Sequence, residues 1–186
     1  MTGLHALWLP IVLSAVAVFV LSSLVHMVLP WHKSDYRTLE READVMSALR
    51  PFNLSAGDYM APRPSSMADM KSPEFQAKAK QGPRFILTML PPGDFGMASQ
   101  LATWFVYSLV IWTLAAYVAG RALPPGASYL EVFRFAGVTT FSCYAMALPQ
   151  TSIWYGRAWR ITLASAADGL LYALFTAGIF GWLWPR

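Results

Sequence analysis

The sequence predicts an all-α membrane protein: four transmembrane helices with a small mixed extramembrane cap between helices 1 and 2. Three observations predict it. First, 56% of the residues are hydrophobic and only 13% are charged, against roughly 25% charged in an ordinary soluble domain. Second, the apolar residues come in blocks of membrane-crossing length, separated by one sizeable polar region, Trp31 to Gly96. Third, the last block, Arg160 to Trp184, carries small residues at every fourth position. These are Ser165, Gly169, Ala173, Ala177 and Gly181, and on a helix they form a face where a neighbouring backbone can come close. The organisation follows: helix 1 in residues 1–30, the cap in 31–96, and helices 2–4 in 97–186.

Leu7 to Leu29 is the first span, with His26 its only ionisable residue. Met1 to Ala6 contains no Lys or Arg and the apolar run is long, so it reads as an uncleaved helix rather than a signal peptide. Pro10 falls in its first turn, where a missing N–H costs little. In the polar region, Leu39, Ala43, Met46 and Leu49 share one face of a helix spanning Tyr36 to Leu49. Gly57 to Pro64 reads as a short extended piece. Ser72 and Pro73 open a second short helix, closed by Gly82-Pro83. Phe85 to Leu90 reads as a strand or an interfacial segment, ended by Pro91-Pro92-Gly93.

Met97 to Ala119 is the second span, with Gly120-Arg121 as its C-terminus. Ser128 and Glu131 have capping-box spacing for the third, Tyr129 to Leu148, and Glu131 stands one turn from Arg134, close enough to pair. Pro149 ends that helix, and Gln150 to Trp159 links it to the last. No internal repeat marks an inverted-repeat transporter.

Four spans place both termini on one face and the polar region on the other. Trp8, Trp182 and Trp184 then belt the terminal face, and Trp31, Trp154 and Trp159 the loop face. Lys33, Arg37, Arg41, Lys78, Lys80, Arg84, Arg157 and Arg160 lie on the loop face, against Arg121 and Arg186 on the other. The positive-inside rule therefore favours a cytoplasmic loop face, although a loop longer than about 60 residues can translocate regardless of charge.

Several functions are disfavoured by composition. The net charge is +4, but in residues 31–96 nine Lys/Arg alternate with eight Asp/Glu, which is no basic stripe for nucleic acid. A single cysteine, Cys143, precludes an intrachain disulfide and Cys-based zinc sites. His5 and His26 stand at opposite ends of one helix, about 30 Å apart, and cannot share a haem. His26 and His32 with Met27, Met60, Met67 and Met70 invite a copper reading. However, His32 falls outside the membrane, and Met67-Ala-Asp-Met70 is a single weak pair, so no metal and no cofactor is assigned. Ser142 and Ser165 lack the setting of a hydrolase nucleophile.

The candidate site is an intramembrane polar cluster of Asp168, His26, Tyr144 and Gln100. Asp168 lies roughly 12 Å into the last span from the loop face. An acid in a span faces the protein interior or a water-filled cavity. Tyr172 and Thr176 extend it into a polar stripe, and Arg157 or Arg160 can reach down to it. The favoured role is a structural hydrogen bond with Tyr144 or His26. The functional one is a proton or ion relay.

The segment His26-Met-Val-Leu-Pro-Trp-His-Lys-Ser-Asp-Tyr36, with Gly178-Ile-Phe-Gly-Trp-Leu-Trp-Pro185, resembles uncharacterised bacterial inner-membrane proteins. That resemblance implies a bacterial cytoplasmic membrane and no particular activity. The sequence reading is a non-enzymatic polytopic membrane protein acting by association with the bilayer and with a protein partner or its own copies. The alternative is a small proton- or ion-coupled transporter or channel using Asp168 and His26.

Overall fold

The structure is a computed structural model, and it describes residues 1–94 and 96–186. In chain order its helices are α1 (Trp8–Met27), α2 (Glu42–Leu49), α3 (Met67–Met70), α4 (Pro73–Gln81), α5 (Ala98–Ala122), α6 (Tyr129–Ala145), α7 (Pro149–Tyr155) and α8 (Trp159–Trp182). Two strands, β1 (Gly57–Ala61) and β2 (Phe85–Met89), form the one sheet among the described residues. The chain divides into two compact units, Met1–Arg37 with Gly96–Arg186, and Thr38–Phe95.

The first unit is a helical bundle. α1, α5 and α8 are each long and apolar enough to cross a membrane. Val12, Val16, Val20 and Leu24 on α1, Val106 and Val110 on α5, and Leu163, Leu170 and Leu174 on α8 all point outward and exposed. Such faces suit lipid rather than water. The interior holds two apolar clusters. Leu7, Ala119, Val132 and Phe180 pack at one end; Ala15, Val18, Trp112 and Tyr172 pack nearer the middle.

α6 and α8 make the most extensive helix–helix contact, and the small-residue ladder is the reason. A Cβ on Gly169 would lie 3.0 Å from the Cβ of Tyr144, one on Gly137 would lie 3.1 Å from Ala177, and one on Gly181 would lie 2.7 Å from the Tyr129 ring. As numbers rise along α8 they fall along α6, so the two helices are antiparallel. The ladder is thus filled by α6 from within the same chain.

Within this unit, two helix ends depart from the sequence expectation. α5 runs through Gly120 to Ala122. Gly120 is there for close approach: Thr2 N–H donates to its carbonyl at 2.7 Å, and a Cβ would sit 2.4 Å from the Thr2 carbonyl oxygen. Pro149 does not cap the preceding helix. α6 stops at Ala145, and Pro149 opens α7 at its first position, where the absent N–H is not missed. Gly156 at φ 69° ends α7, and the Ser152 and Thr162 hydroxyls, 2.6 Å apart, tie α7 to α8.

Two further expectations change with tertiary context. Trp184 is buried and its indole N–H donates to the Pro124 carbonyl at 2.9 Å, so it is a core residue and not part of the aromatic belt. Trp8, Trp154, Trp159 and Trp182 are exposed as the belt requires. Glu131 turns back to cap α6, accepting from the Ser128 N–H and hydroxyl at 2.9 and 2.7 Å, rather than pairing with Arg134.

The second unit is small. β1 and β2 pair antiparallel with Gly57 opposite Met89 and Ala61 opposite Phe85, and the Thr88 hydroxyl donates to Asp58 across the pair at 2.7 Å. The extended piece at Gly57 and the ambiguous segment at Phe85 are therefore partners. α4 begins as expected, with the Ser72 hydroxyl accepting the Phe75 N–H at 3.1 Å and Pro73 at the first position. α2 begins at Glu42, not at Tyr36, because the chain up to Arg37 belongs to the helical unit. The expected cap boundary at residue 31 shifts accordingly.

Candidate functional site

α1 ends at Met27, and Pro30 opens a 3-10 turn, Pro30–His32, at the position where proline's fixed φ is favoured. The turn is closed by Lys33 N–H donating to the Pro30 carbonyl at 3.1 Å and Asp35 N–H donating to the His32 carbonyl at 3.1 Å. Packed against α1 and α8, this turn carries His32 and Asp35 back over α8. Asp168 lies nine residues beyond the α8 start at Trp159, about 13 Å along the helix axis. The folded-back turn meets it there.

His32 is the hub. Its Nδ1 lies 2.8 Å from Asp35 Oδ2, and its Nε2 lies 2.8 Å from Asp168 Oδ2. The second approach is close but off the line of a hydrogen bond: His32 Nε2 and Asp168 Oδ1 are both buried without a hydrogen-bond partner. The His26 ring stacks on His32, centroids 4.5 Å apart and planes 5° from parallel. His26 Nδ1 lies 3.0 Å from the Ser22 carbonyl, one turn back on α1. Arg160 closes the rim. It donates to the Ser34 carbonyl through Nη2 and places Nη1 3.7 Å from Asp35 Oδ1. Burial alone would push the His32 imidazole toward its neutral form. The hydrogen bond to Asp35 and the charges of Asp168 and Asp35 outweigh it, so the His32 pKa is raised.

Of the four residues expected in the cluster, two are brought together, Asp168 and His26. The other two go elsewhere. The Tyr144 hydroxyl donates to Ser108 at 2.9 Å, because the tight α6–α8 packing at Gly169 aims its ring past Asp168 toward α5. Gln100 accepts from the Ser99 hydroxyl at 2.9 Å and lines an open groove with Thr103, Trp104 and Tyr107. Asp168 meets His32 instead, a residue the sequence placed outside the membrane. Arg160 does reach the site, though through Asp35 and Ser34. The signal for His32 and Asp35 was present: a histidine and a carboxylate three apart just after a proline. One other member of the α8 polar stripe also finds a partner. Thr176 accepts the Trp112 indole N–H at 2.9 Å.

No family model, curated protein or solved structure matches this chain. Its chemistry therefore rests on the site itself. His26, His32 and Asp168 each offer one donor atom, and these atoms all lie within 4.8 Å of one another. Two imidazoles and a carboxylate, held beside a second carboxylate, can store a proton or ligate a cation. No serine or cysteine nucleophile is part of the arrangement.

Proposed function

We propose that this chain is a multi-pass protein of the bacterial cytoplasmic membrane that is not itself an enzyme and acts by association, as an accessory subunit or as an oligomer. α6 is its fourth crossing. With 17 residues it is about 26 Å long, and it runs antiparallel along α8 from Gly169 to Gly181. A helix so packed on a membrane-crossing neighbour crosses with it. The termini then share one face, and residues 31–96 lie on the other, cytoplasmic by their Lys/Arg content.

One observation carries the non-transport reading: the spans hold a charged site at one end and no second carboxylate in line with it. Asp168 is the one Asp or Glu in α1, α5 and α8. Glu131 sits in the first turn of α6 and is engaged by Ser128. It stands 13 residues before Tyr144, about 20 Å away along the axis. Between these levels Trp112 pairs with Thr176 and Tyr144 with Ser108, and the buried, unpartnered hydroxyls of Ser14 and Thr140 carry no charge. The outward apolar faces suit the bilayer, where the proposed partner or second copy would also lie.

The second reading, ion-coupled transport through Asp168 and His26, is favoured by the unpartnered Asp168 Oδ1 beside two imidazoles. Affinity purification of the tagged chain from native membranes, after mild cross-linking, tests the first reading. A reproducible partner, or a defined oligomer, is expected. A monomer that moves protons across liposomes in response to a pH gradient would overturn it in favour of the second.

A further inference from the structure

We propose that His26, His32 and Asp168 form a binding site for a divalent first-row transition-metal ion, of which Zn2+ is the type, at the end of α1. The argument begins with protons. The Ser22 carbonyl can only accept, so His26 Nδ1, 3.0 Å away, carries its hydrogen. An ionised Asp35 can likewise only accept, so His32 Nδ1 donates to it. In the neutral form of each ring Nε2 is then the nitrogen that keeps a lone pair. An imidazole whose other nitrogen donates to a carbonyl or carboxylate is how metal-binding histidines are oriented.

Something positive belongs between His32 Nε2 and Asp168 Oδ2, which lie 2.8 Å apart, and it can be a proton or a metal ion. A shared proton would call for an aligned hydrogen bond, and the pair is off that line. Two atoms each about 2.0–2.1 Å from a tetrahedral ion lie about 3.3 Å apart, so His32 Nε2 and Asp168 Oδ2, at 2.8 Å, would part by about half an ångström to share one. The Asp168 side chain is only 7% exposed, and its Oδ1 has no hydrogen-bond partner to hold it elsewhere. To close the third position, the exposed His26 ring turns out of its stack on His32.

The donor set selects the ion. Imidazole nitrogen suits zinc, copper, nickel and iron, whereas calcium and magnesium take oxygen ligands. Three protein ligands leave at least one position open for water or for a ligand from outside the chain. Asp35 positions His32 without touching the ion, and Arg160 holds Asp35.

The full-length protein, purified in detergent and stripped with a chelator, is titrated with Zn2+ and with Co2+ as a visible-absorbing reporter. One ion per chain is expected, with cobalt ligand-field bands of a low-symmetry nitrogen–oxygen site. His26→Gln, His32→Ala and Asp168→Ala should each abolish those bands. Asp35→Asn should weaken binding by about 10–100-fold, as is usual for an orienting partner. His26→Gln is the decisive variant, since an exposed ring at a helix end can be replaced without loss of fold. Wild-type binding no tighter than that of a variant combining His26→Gln, His32→Ala and Asp168→Ala would overturn the proposal, and so would one Co2+ per chain with unchanged bands in His26→Gln. Because the readout is made on the isolated chain, its outcome is independent of whether a protein partner is found.

Discussion

His32 stands with one ring nitrogen 2.8 Å from Asp35 and the other 2.8 Å from Asp168. That single ring joins the turn after α1 to the middle of α8. It also explains why an acid can be retained within a span: the carboxylate is met by a group folded down from outside the apolar helices.

Asp168 should therefore matter for stability as well as for ligand binding. In chelator-treated protein, Asp168→Leu removes the group facing His32 and leaves a buried imidazole nitrogen without a counterpart. A loss of about 1–3 kcal/mol is expected, read as a lowered unfolding temperature in detergent. Asp168→Asn keeps shape and an acceptor, and should fall between Leu and the wild type. Identical melting of all three proteins would remove the structural role.

The α6–α8 interface gives a steric prediction. A Cβ alone at Gly169 would already touch Tyr144 at 3.0 Å and Ala145 at 3.4 Å. Gly169→Leu should cost about 1–3 kcal/mol or more through overpacking. Leu170→Phe, on the exposed side of the same helix, adds volume where nothing opposes it and should leave the melting temperature nearly unchanged. Equal effects from the two substitutions would place the packing face elsewhere.

Trp112 and Thr176 form a buried pair between α5 and α8 at 2.9 Å. Thr176→Val keeps the shape and strands the indole N–H, at about 1–3 kcal/mol. With Trp112 already replaced by Phe, Thr176→Val should cost much less. A double-mutant cycle showing strict additivity would mean the bond has no energetic weight.

The orientation is tested by single cysteines. With Cys143 replaced by Ser, cysteines at Ser55 and Ser66 should resist a membrane-impermeant thiol reagent in intact cells and react once the cells are opened. Ready labelling of both in intact cells would put residues 31–96 outside.

A pH effect is expected at the start of α3. The Ser65 N–H and hydroxyl donate to Asp69 at 2.7 and 2.9 Å, and these bonds lower the Asp69 pKa. A lowered folded pKa means the stabilisation is complete above the unfolded value, about 3.9, and is lost as pH falls through the folded one. Amide exchange at Ser65, referenced to its intrinsic rate, should lose protection only in acid. In Asp69→Asn it should show no such step; an unchanged acid step there would assign it to another group.

The helices of membrane-crossing length, the packing face of α8, the capping box at Ser128 and the start of α4 at Ser72 were legible in the amino-acid order. These features are local or periodic. A run of apolar residues, a four-residue spacing or a cap is complete within a few turns of chain, and its physics does not depend on what lies opposite. The sequence also singled out Asp168 and His26, because an ionisable group in an apolar span is costly wherever it falls. Their partners were set by how the chain folds. Tyr144 and His32 were both within plausible reach of Asp168, and the choice turned on the path after Pro30 and on the direction in which the α6–α8 contact aims the Tyr144 ring. The β1–β2 pairing and the burial of Trp184 were hidden for the same reason. A hydrogen-bond partner distant in the chain leaves no trace in the spacing of either residue, and becomes visible only when the backbone has brought the two together.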